Sequence, residues 1–241
     1  MRIGSLFSGI GGLELGLEWA GVGHTVWQVE INPFCRSILS HEFPHADQWA
    51  DVRDVGGDTL APVDVLCGGY PCQPYSTAGR RKGRDDARDL WPEFRRIIQE
   101  MDPRYVVLEN TPGHLTLGFP EVLEDLAVLG YDAEWSILSA CAMGAAHARE
   151  RLFCVAYPAG LGQPEPWQYR EDASDHETRD HWQADRLVDA VRRGALPFLC
   201  REDHGLPHRV DRWTAIGNAV VPQVARVVGQ RLLAIDRDLA R

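Results

Sequence analysis

The first 157 residues alternate short apolar runs with amphipathic segments of helical period. The apolar runs predict β-strands at residues 2–7, 25–30, 63–67, 105–109, 134–139 and 152–157. The amphipathic segments predict helices at residues 12–20, 33–43, 90–101 and 120–129. Because each helix lies between two strands, the pattern predicts an α/β fold with a Rossmann-like, doubly wound, mostly parallel sheet.

The regular pattern ends near residue 157. Residues 158–207 are rich in Pro, Trp, His, Asp and Arg and have no clear period, apart from a short helix predicted at 185–193. An apolar stripe over residues 223–239 predicts a final helix that packs back on the sheet. We therefore expect a sheet domain at 1–157, a small irregular region at 158–207 and a C-terminal segment at 208–241.

The composition is that of an ordinary globular protein, with 44% hydrophobic and 25% charged residues among 241. No apolar run approaches the roughly 20 residues of a membrane helix, and the N-terminus lacks the features of a signal peptide. A cytoplasmic protein without a membrane partner is expected. The six cysteines show no metal-ligand spacing, so neither a metal site nor disulfides are expected. Cys67, Cys141 and Cys154 lie in apolar stretches and are expected to be buried thiols.

The net charge of −10 argues against a nucleic-acid partner, but phosphate binding needs only a local basic surface. One basic segment exists in the stretch GRRKGR at 79–84. Its cations are candidate phosphate contacts, and they are Arg80, Arg81, Lys82 and Arg84.

The first predicted strand leads into the glycine-rich turn FSGIGG at 7–12 and then directly into a helix. Such a turn lets the backbone approach a ligand closely, although Glu14 replaces the third glycine of the dinucleotide-binding pattern. Glu30 ends the second strand, where a carboxylate commonly binds ribose hydroxyls, and Asp51 is placed to accept from an adenine amino group. Together they favour an adenosine-containing cofactor such as S-adenosylmethionine. The alternative is a pair of solvent-facing loop carboxylates.

A second group of residues suggests nucleophilic catalysis. The strand before GGYPCQP at 68–74 delivers Cys72, held between two prolines, to the ligand-binding edge of the sheet. Glu109 ends the next strand, and partial desolvation there raises the pKa of a carboxyl group. Arg149 and Arg151 alternate at a strand start and therefore share one face. The alternatives are a half-buried loop cysteine, a helix-capping glutamate and a solvated arginine pair.

Five motifs, in order FSGIGG, YPCQPYS, LENTPG, HARER and GNAVVP, resemble those of the cytosine-5 DNA methyltransferase family. The resemblance covers about residues 1–157 and 201–239, and five motifs in sequence order are highly specific. It implies a class I methyltransferase fold in which residues 158–207 form a small target-recognition region. It also implies methyl transfer from S-adenosylmethionine to carbon 5 of a flipped-out cytosine in double-stranded DNA.

The resemblance assigns roles to particular residues. Cys72 is the nucleophile, Glu109 is the acid at ring nitrogen 3, and Arg149 and Arg151 support the base and Glu109. Residues 76–88, with two glycines and several cations, are predicted to form a mobile loop that closes over the substrate. The implied cofactor residues are Phe7, Ser8, Gly9, Ile10, Gly11, Gly12, Glu30, Ile31, Asp51, Val52, Pro71, Leu90, Asn218, Ala219 and Val220. The implied DNA contacts are Gln73, Ser76, Arg80, Arg81, Lys82 and Arg84.

Some positions depart from the family pattern. Thr111 stands where the family usually has valine, and His147 where it usually has glutamine. A recognition region of about 50 residues is short for the family, which implies relaxed or very brief DNA recognition. The expected protein is a monomer of the bacterial nucleoid or of a phage-infected cell, with a cognate restriction endonuclease as a candidate partner. Competing interpretations are an RNA (tRNA) cytosine-5 methyltransferase, a non-catalytic DNA-binding relative and, more distantly, a NAD-dependent oxidoreductase.

Overall fold

A seven-stranded sheet forms the centre of the protein in a computed structural model, which describes residues 1–71, 90–145, 147, 149–160, 215 and 217–240. The strands are β1 (Arg2–Leu6), β2 (His24–Val29), β3 (Asp47–Trp49), β4 (Val65–Gly68), β5 (Tyr105–Asn110), β6 (Tyr131–Ser139) and β7 (Glu150–Pro158). Their order in the sheet is β3-β2-β1-β4-β5-β7-β6. Strands β1 to β5 pair in parallel, whereas β7 runs antiparallel to both β5 and β6.

Helices cover the sheet, and local sequence sets several of their ends. They are α1 (Gly12–Trp19), α2 (Pro33–Glu42), α3 (Trp91–Met101), α4 (Phe119–Val128) and α5 (Pro222–Leu239). Asn32 caps α2, because its side chain accepts from the amides of Phe34 and Cys35 and Pro33 fits the first turn. Among the described residues, no helix combines the length and the apolar character needed to cross a bilayer.

Two apolar layers lie on opposite sides of the sheet. One contains Trp27, Phe94 and Ile97, and the other contains Leu17 and Val228, with all five side chains at most 1% exposed. Burial on both faces explains why the parallel strands are nearly continuous apolar runs. The predicted α/β, doubly wound, mostly parallel fold is therefore confirmed.

The predicted strands and helices agree with the structure to within a few residues, with two exceptions. Strand β3 is not among the predicted strands because its three residues are too short for a period-2 pattern. Strand β7 lies between β5 and β6 and reverses the sheet direction, which local pattern does not reveal. The helix predicted at 185–193 and nearly all of region 158–207 lie outside the described residues. Cys67 and Cys154 are buried as expected, but Cys141 is exposed, because the 3₁₀ turn after β6 leaves its side chain at the surface.

The C-terminal segment meets α1 at unusually close range. A Cβ atom at Gly12 would lie 2.2 Å from the backbone oxygen of Val220, and one at Gly16 would lie 2.3 Å from that of Pro222. Glycine at both positions therefore allows the start of α5 to lie against the first turns of α1. This contact brings the GNAVVP segment next to the glycine-rich turn.

We expect G16A to destabilise the fold by about 1–3 kcal/mol, because the new methyl group meets backbone and an alanine Cβ that cannot move independently. Denaturant unfolding of the variant measures this loss. G113A is the matched control, since a Cβ at Gly113 has open space around it. Equal stability of G16A and G113A would contradict the close contact between α1 and α5.

Candidate active site

A cavity of about 350 Å³ opens at the carboxyl ends of β1, β2, β4 and β5. Strand β1 lies between β2 and β4, and the strand order reverses at this point of the sheet. Open α/β sheets usually bind their ligands at such a reversal. Three groups of described residues line it: the glycine-rich turn, the ends of the strands, and the C-terminal segment with Ala215, Asn218, Ala219 and Val220.

The glycine-rich turn requires positive φ angles. Gly9 has φ 56° and Gly11 has φ 85°, and Phe7 adopts φ 57°, a conformation that is strained for a residue with a side chain. Phe7, Ser8 and Gly9 line the cavity. The other predicted cofactor residues of this turn do not: Ile10 and Gly12 line a neighbouring cavity, and the space beside Gly11 is filled by Phe43.

Glu30 is held in a fixed orientation at the end of β2. Its two carboxylate oxygens each accept a backbone N–H at 2.8 Å, one from Gly9 and one from Asn32. Each oxygen keeps a further lone pair, so the carboxylate can accept two more hydrogen bonds, as from neighbouring hydroxyls. Ile31 lines the cavity beside it. The positions of the turn and of this carboxylate are thus coupled.

Asp51, Val52 and Arg53 line the cavity just beyond β3. Arg53 donates to the Asp51 carboxylate, and these hydrogen bonds lower the pKa of Asp51. Asp51 is therefore an ionised acceptor at neutral pH. Pro71 and Leu90, also predicted to lie near the cofactor, border the same cavity.

Glu109, at the end of β5, is a buried acid in the cavity wall. Arg151 Nε lies 3.0 Å from its Oε1, and the Glu109 side chain is 11% exposed. Burial raises the pKa of Glu109 to about 7, against the opposing charges of Arg151 and Arg149. A Cβ at Gly69 would lie 2.6 Å from Glu109 Oε2, so glycine there leaves room for the carboxylate.

The two predicted arginines occupy different positions. Arg151 lines the cavity and pairs with Glu109. Arg149 lines the neighbouring cavity with His147, and its Nη1 donates to the backbone oxygen of Gly217 at 2.8 Å. Burial lowers the pKa of Arg149. Arg149 thus ties the start of β7 to the C-terminal segment and acts on Glu109 only through its charge.

Residues before the predicted nucleophile are tightly held. Tyr70 Oη lies 2.5 Å from His114 Nε2, and Asn110 Nδ2 donates to the Tyr70 backbone oxygen at 3.3 Å. Thr111 lines the cavity, as expected from its place in the LENTPG motif. The predicted nucleophile and DNA contacts all lie outside the described residues, namely Cys72, Gln73, Ser76, Arg80, Arg81, Lys82 and Arg84.

Several cavity residues are missing from the predicted set, among them Glu14, Arg53 and Asn110. Glu14 is fully buried, accepts from Gln28 Nε2 at 3.2 Å, and has a pKa raised by burial. Its replacement of the third glycine was a usable signal. The sequence offered no comparable signal for Arg53 or Asn110, because their places in the cavity wall depend on contacts with neighbouring residues. Within the described residues, no group of three or more His, Cys, Asp or Glu side chains could hold a metal ion.

Comparison with known proteins agrees with this geometry. The sequence model of the C-5 cytosine-specific DNA methylase family matches residues 1–192. Type II methyltransferase M.NgoMIV of Neisseria gonorrhoeae is 39% identical over 171 residues, covering 66% of this chain and 54% of that protein. Type II methyltransferase M.Bsp6I of Bacillus sp. (strain RFL6) is 33% identical over 164 residues, covering 65% and 52%. The chain thus spans about half the length of these curated relatives.

Among solved structures, the S. pombe Dnmt2 methyltransferase matches with a TM-score of 0.67. The match covers 98% of this chain and 99% of that chain at 16% sequence identity, so it supports the fold alone.

The raised pKa of Glu109 predicts a specific pH dependence of stability. Its ordinary value is 4.5, so between pH 4.5 and about 7 the folded state keeps a proton that the unfolded state loses. The wild-type free energy of unfolding should therefore fall across this interval, whereas E109Q lacks this contribution. We expect the stability of E109Q relative to wild type to rise by about 3 kcal/mol from pH 4.5 to 8.

Urea unfolding at several pH values measures this difference. D51N is the control, because the pKa of Asp51 is lowered and its carboxyl group is ionised in both states from pH 5 to 8. A constant difference in free energy of unfolding between E109Q and wild type over that pH range would show that burial does not raise the pKa of Glu109.

Proposed function

Because the chain belongs to the C-5 cytosine-specific DNA methylase family, we propose that it transfers a methyl group from S-adenosylmethionine to carbon 5 of cytosine in DNA. The observation that carries the proposal is the cavity itself. It joins a buried acid, Glu109, and its partner Arg151 to two oriented carboxylates, Glu30 and Asp51, that suit an adenosine. Family membership supplies the reaction class, and the cavity supplies the groups that the reaction needs.

The residues fit S-adenosylmethionine. Glu30 has two oriented oxygens for ribose hydroxyls, and Asp51 offers an acceptor for an adenine amino group. Gly9 has no atom within 4 Å of an added Cβ, which leaves its surroundings open to a ligand. When bound, the cofactor supplies an electrophilic methyl group. Asn218, Ala219 and Val220 complete the wall opposite the strands.

The proposed nucleophile is Cys72, which directly follows the cavity residue Pro71. Carbon 5 of cytosine is a poor nucleophile until a thiolate adds to carbon 6 and makes the ring electron-rich. The new S–C6 bond places the displaced electron pair in the ring as an enamine. Methylation of carbon 5 would break the sulfonium–methyl bond and leave S-adenosylhomocysteine. Transfer of the carbon 5 proton to a water molecule would then restore the C5–C6 double bond and expel the Cys72 thiolate.

Glu109 supports this addition by acting on ring nitrogen 3. With a pKa of about 7, the carboxyl group carries a proton in a large fraction of molecules near neutral pH and can donate it as negative charge develops. Arg151 then stabilises the carboxylate that remains. Arg149 is held by Gly217 and contributes positive charge from the neighbouring side.

Carbon 6 is inaccessible in stacked DNA, so the target cytosine must leave the helix at a cost of a few kcal/mol. We propose that Gln73, Ser76 and the basic segment at 79–84 contact the DNA during this step. The proposal places the protein in the cytoplasm, at the nucleoid or in a phage-infected cell, as a monomer acting on double-stranded DNA. A cognate restriction endonuclease is the proposed functional partner, in keeping with the type II names of the relatives.

The test is transfer of labelled methyl groups from S-adenosylmethionine to duplex DNA and, in parallel, to tRNA. Labelling of DNA supports the proposal, and labelling confined to tRNA overturns the choice of acceptor. Bisulfite sequencing of DNA from cells that express the protein then identifies the modified position and the recognition sequence.

We expect C72A to lower methyl transfer by about 10³-fold or more, because the carbon 6 adduct cannot form with Cys72 once its thiol is removed. The variant should also fail to form a denaturation-resistant complex with 5-fluorocytosine DNA, while keeping its affinity for DNA. C141A is the matched control, since Cys141 is an exposed free thiol outside the cavity, and it should behave like wild type. Full activity of C72A would exclude Cys72 as the nucleophile.

A further inference from the structure

Asp51 and Arg53 form a compact hydrogen-bonded unit at the cavity wall. Asp51 caps a 3₁₀ turn at Val52–Asp54 and accepts from the Arg53 backbone N–H at 3.0 Å. The Arg53 guanidinium also donates to both carboxylate oxygens, from Nε to Oδ1 at 2.9 Å and from Nη2 to Oδ2 at 2.6 Å. Arg53 is thus bound to Asp51 through both its backbone and its side chain.

This unit leaves Asp51 with little freedom to accept other hydrogen bonds. A carboxylate offers about four acceptor positions, and Arg53 occupies three of them. The remaining position is on Oδ2. Asp51 is ionised at neutral pH, and its hydrogen bonds with Arg53 lower its pKa further, so the carboxylate can accept but not donate.

The turn that carries this unit is fixed separately. Arg96 on α3 donates through Nη2 to the backbone oxygens of Val52 and Val55 at 2.9 and 3.0 Å. Arg96 therefore holds the backbone, whereas Arg53 holds the carboxylate. Arg53 is 60% exposed and Asp51 is 23% exposed, so neither side chain is required for the core.

We propose that Arg53 is a positioning residue that directs the last free acceptor of Asp51 toward the exocyclic amino group at position 6 of the cofactor's purine. The inference rests on the proposed function, in which the cavity binds S-adenosylmethionine. A carboxylate that can only accept favours adenine, whose position 6 carries an amino group. It disfavours hypoxanthine, whose position 6 carries a carbonyl oxygen.

The experiment is calorimetric titration of the full chain with S-adenosylhomocysteine and with S-inosylhomocysteine. We expect wild type to prefer the adenine ligand by about tenfold or more, because the hypoxanthine oxygen faces a carboxylate. R53A should weaken binding of the adenine ligand and leave the other nearly unchanged, so that the preference falls to about twofold. The ligand preference of R53K should lie between those of wild type and R53A, because an ammonium group cannot form the bidentate contact.

R95A is the matched control. Arg95 forms a comparable pair with Asp125, at 3.0 Å, but neither residue lines the cofactor cavity. The R95A variant should show the same ligand preference as wild type. Thermal unfolding should show that R53A and R95A are equally well folded. D51N tests the acceptor directly, because an amide can donate to hypoxanthine and should abolish or reverse the preference.

The outcomes separate the inference from the function on which it rests. If R53A keeps the wild-type preference, or loses affinity for both ligands equally, Arg53 does not position Asp51 for the purine. If wild type binds neither ligand, the cavity does not hold an adenosine cofactor, and the proposed function fails as well.

Discussion

The pairing of Glu109 with Arg151 at the rim of the sheet is the interaction on which the site depends. Without a cation beside it, burial would raise the pKa of Glu109 further. Without the carboxylate, the Arg151 guanidinium would lose its ion-pair partner in a partly closed cavity. The balance leaves the acid near neutrality, where proton donation is efficient. The sheet creates this balance by placing the end of β5 beside the start of β7.

The second constraint is the joining of distant parts of the chain around the cavity. The Gly12–Val220 and Gly16–Pro222 contacts bring the C-terminal segment to the glycine-rich turn, and Arg149 attaches the start of β7 to Gly217. Gly9 in turn donates to Glu30. Because these contacts are linked, movement at one of them would shift the others, and this side of the cavity behaves as one connected unit.

Much of this arrangement is readable from sequence, for identifiable reasons. Glu30 and Glu109 end apolar strands, and the carboxyl ends of parallel strands meet at one edge, so local pattern alone brings them together. Other features depend on contacts that no local pattern encodes. Glu14 marks a departure from a motif, but only its neighbours on β1 and β2 make it a buried acid. The different partners of Arg149 and Arg151 depend on where the C-terminal segment returns.

The reversed direction of β7 has a consequence for how such proteins can vary. The strand enters beside the cavity at Glu150 and leaves at the opposite border of the sheet, where Pro158 pairs with Tyr131. Its nine residues cover about 30 Å, and the next described residue that lines the cavity is Ala215. The described residues on either side of 161–214 therefore lie at opposite borders of the sheet, with Gly160 following the far end of β7 and Ala215 lining the cavity. We therefore expect that changes in the length or sequence of residues 161–214 leave the strand ends, Glu109 and Arg151 in place, so that this stretch can vary between relatives while the cavity is kept.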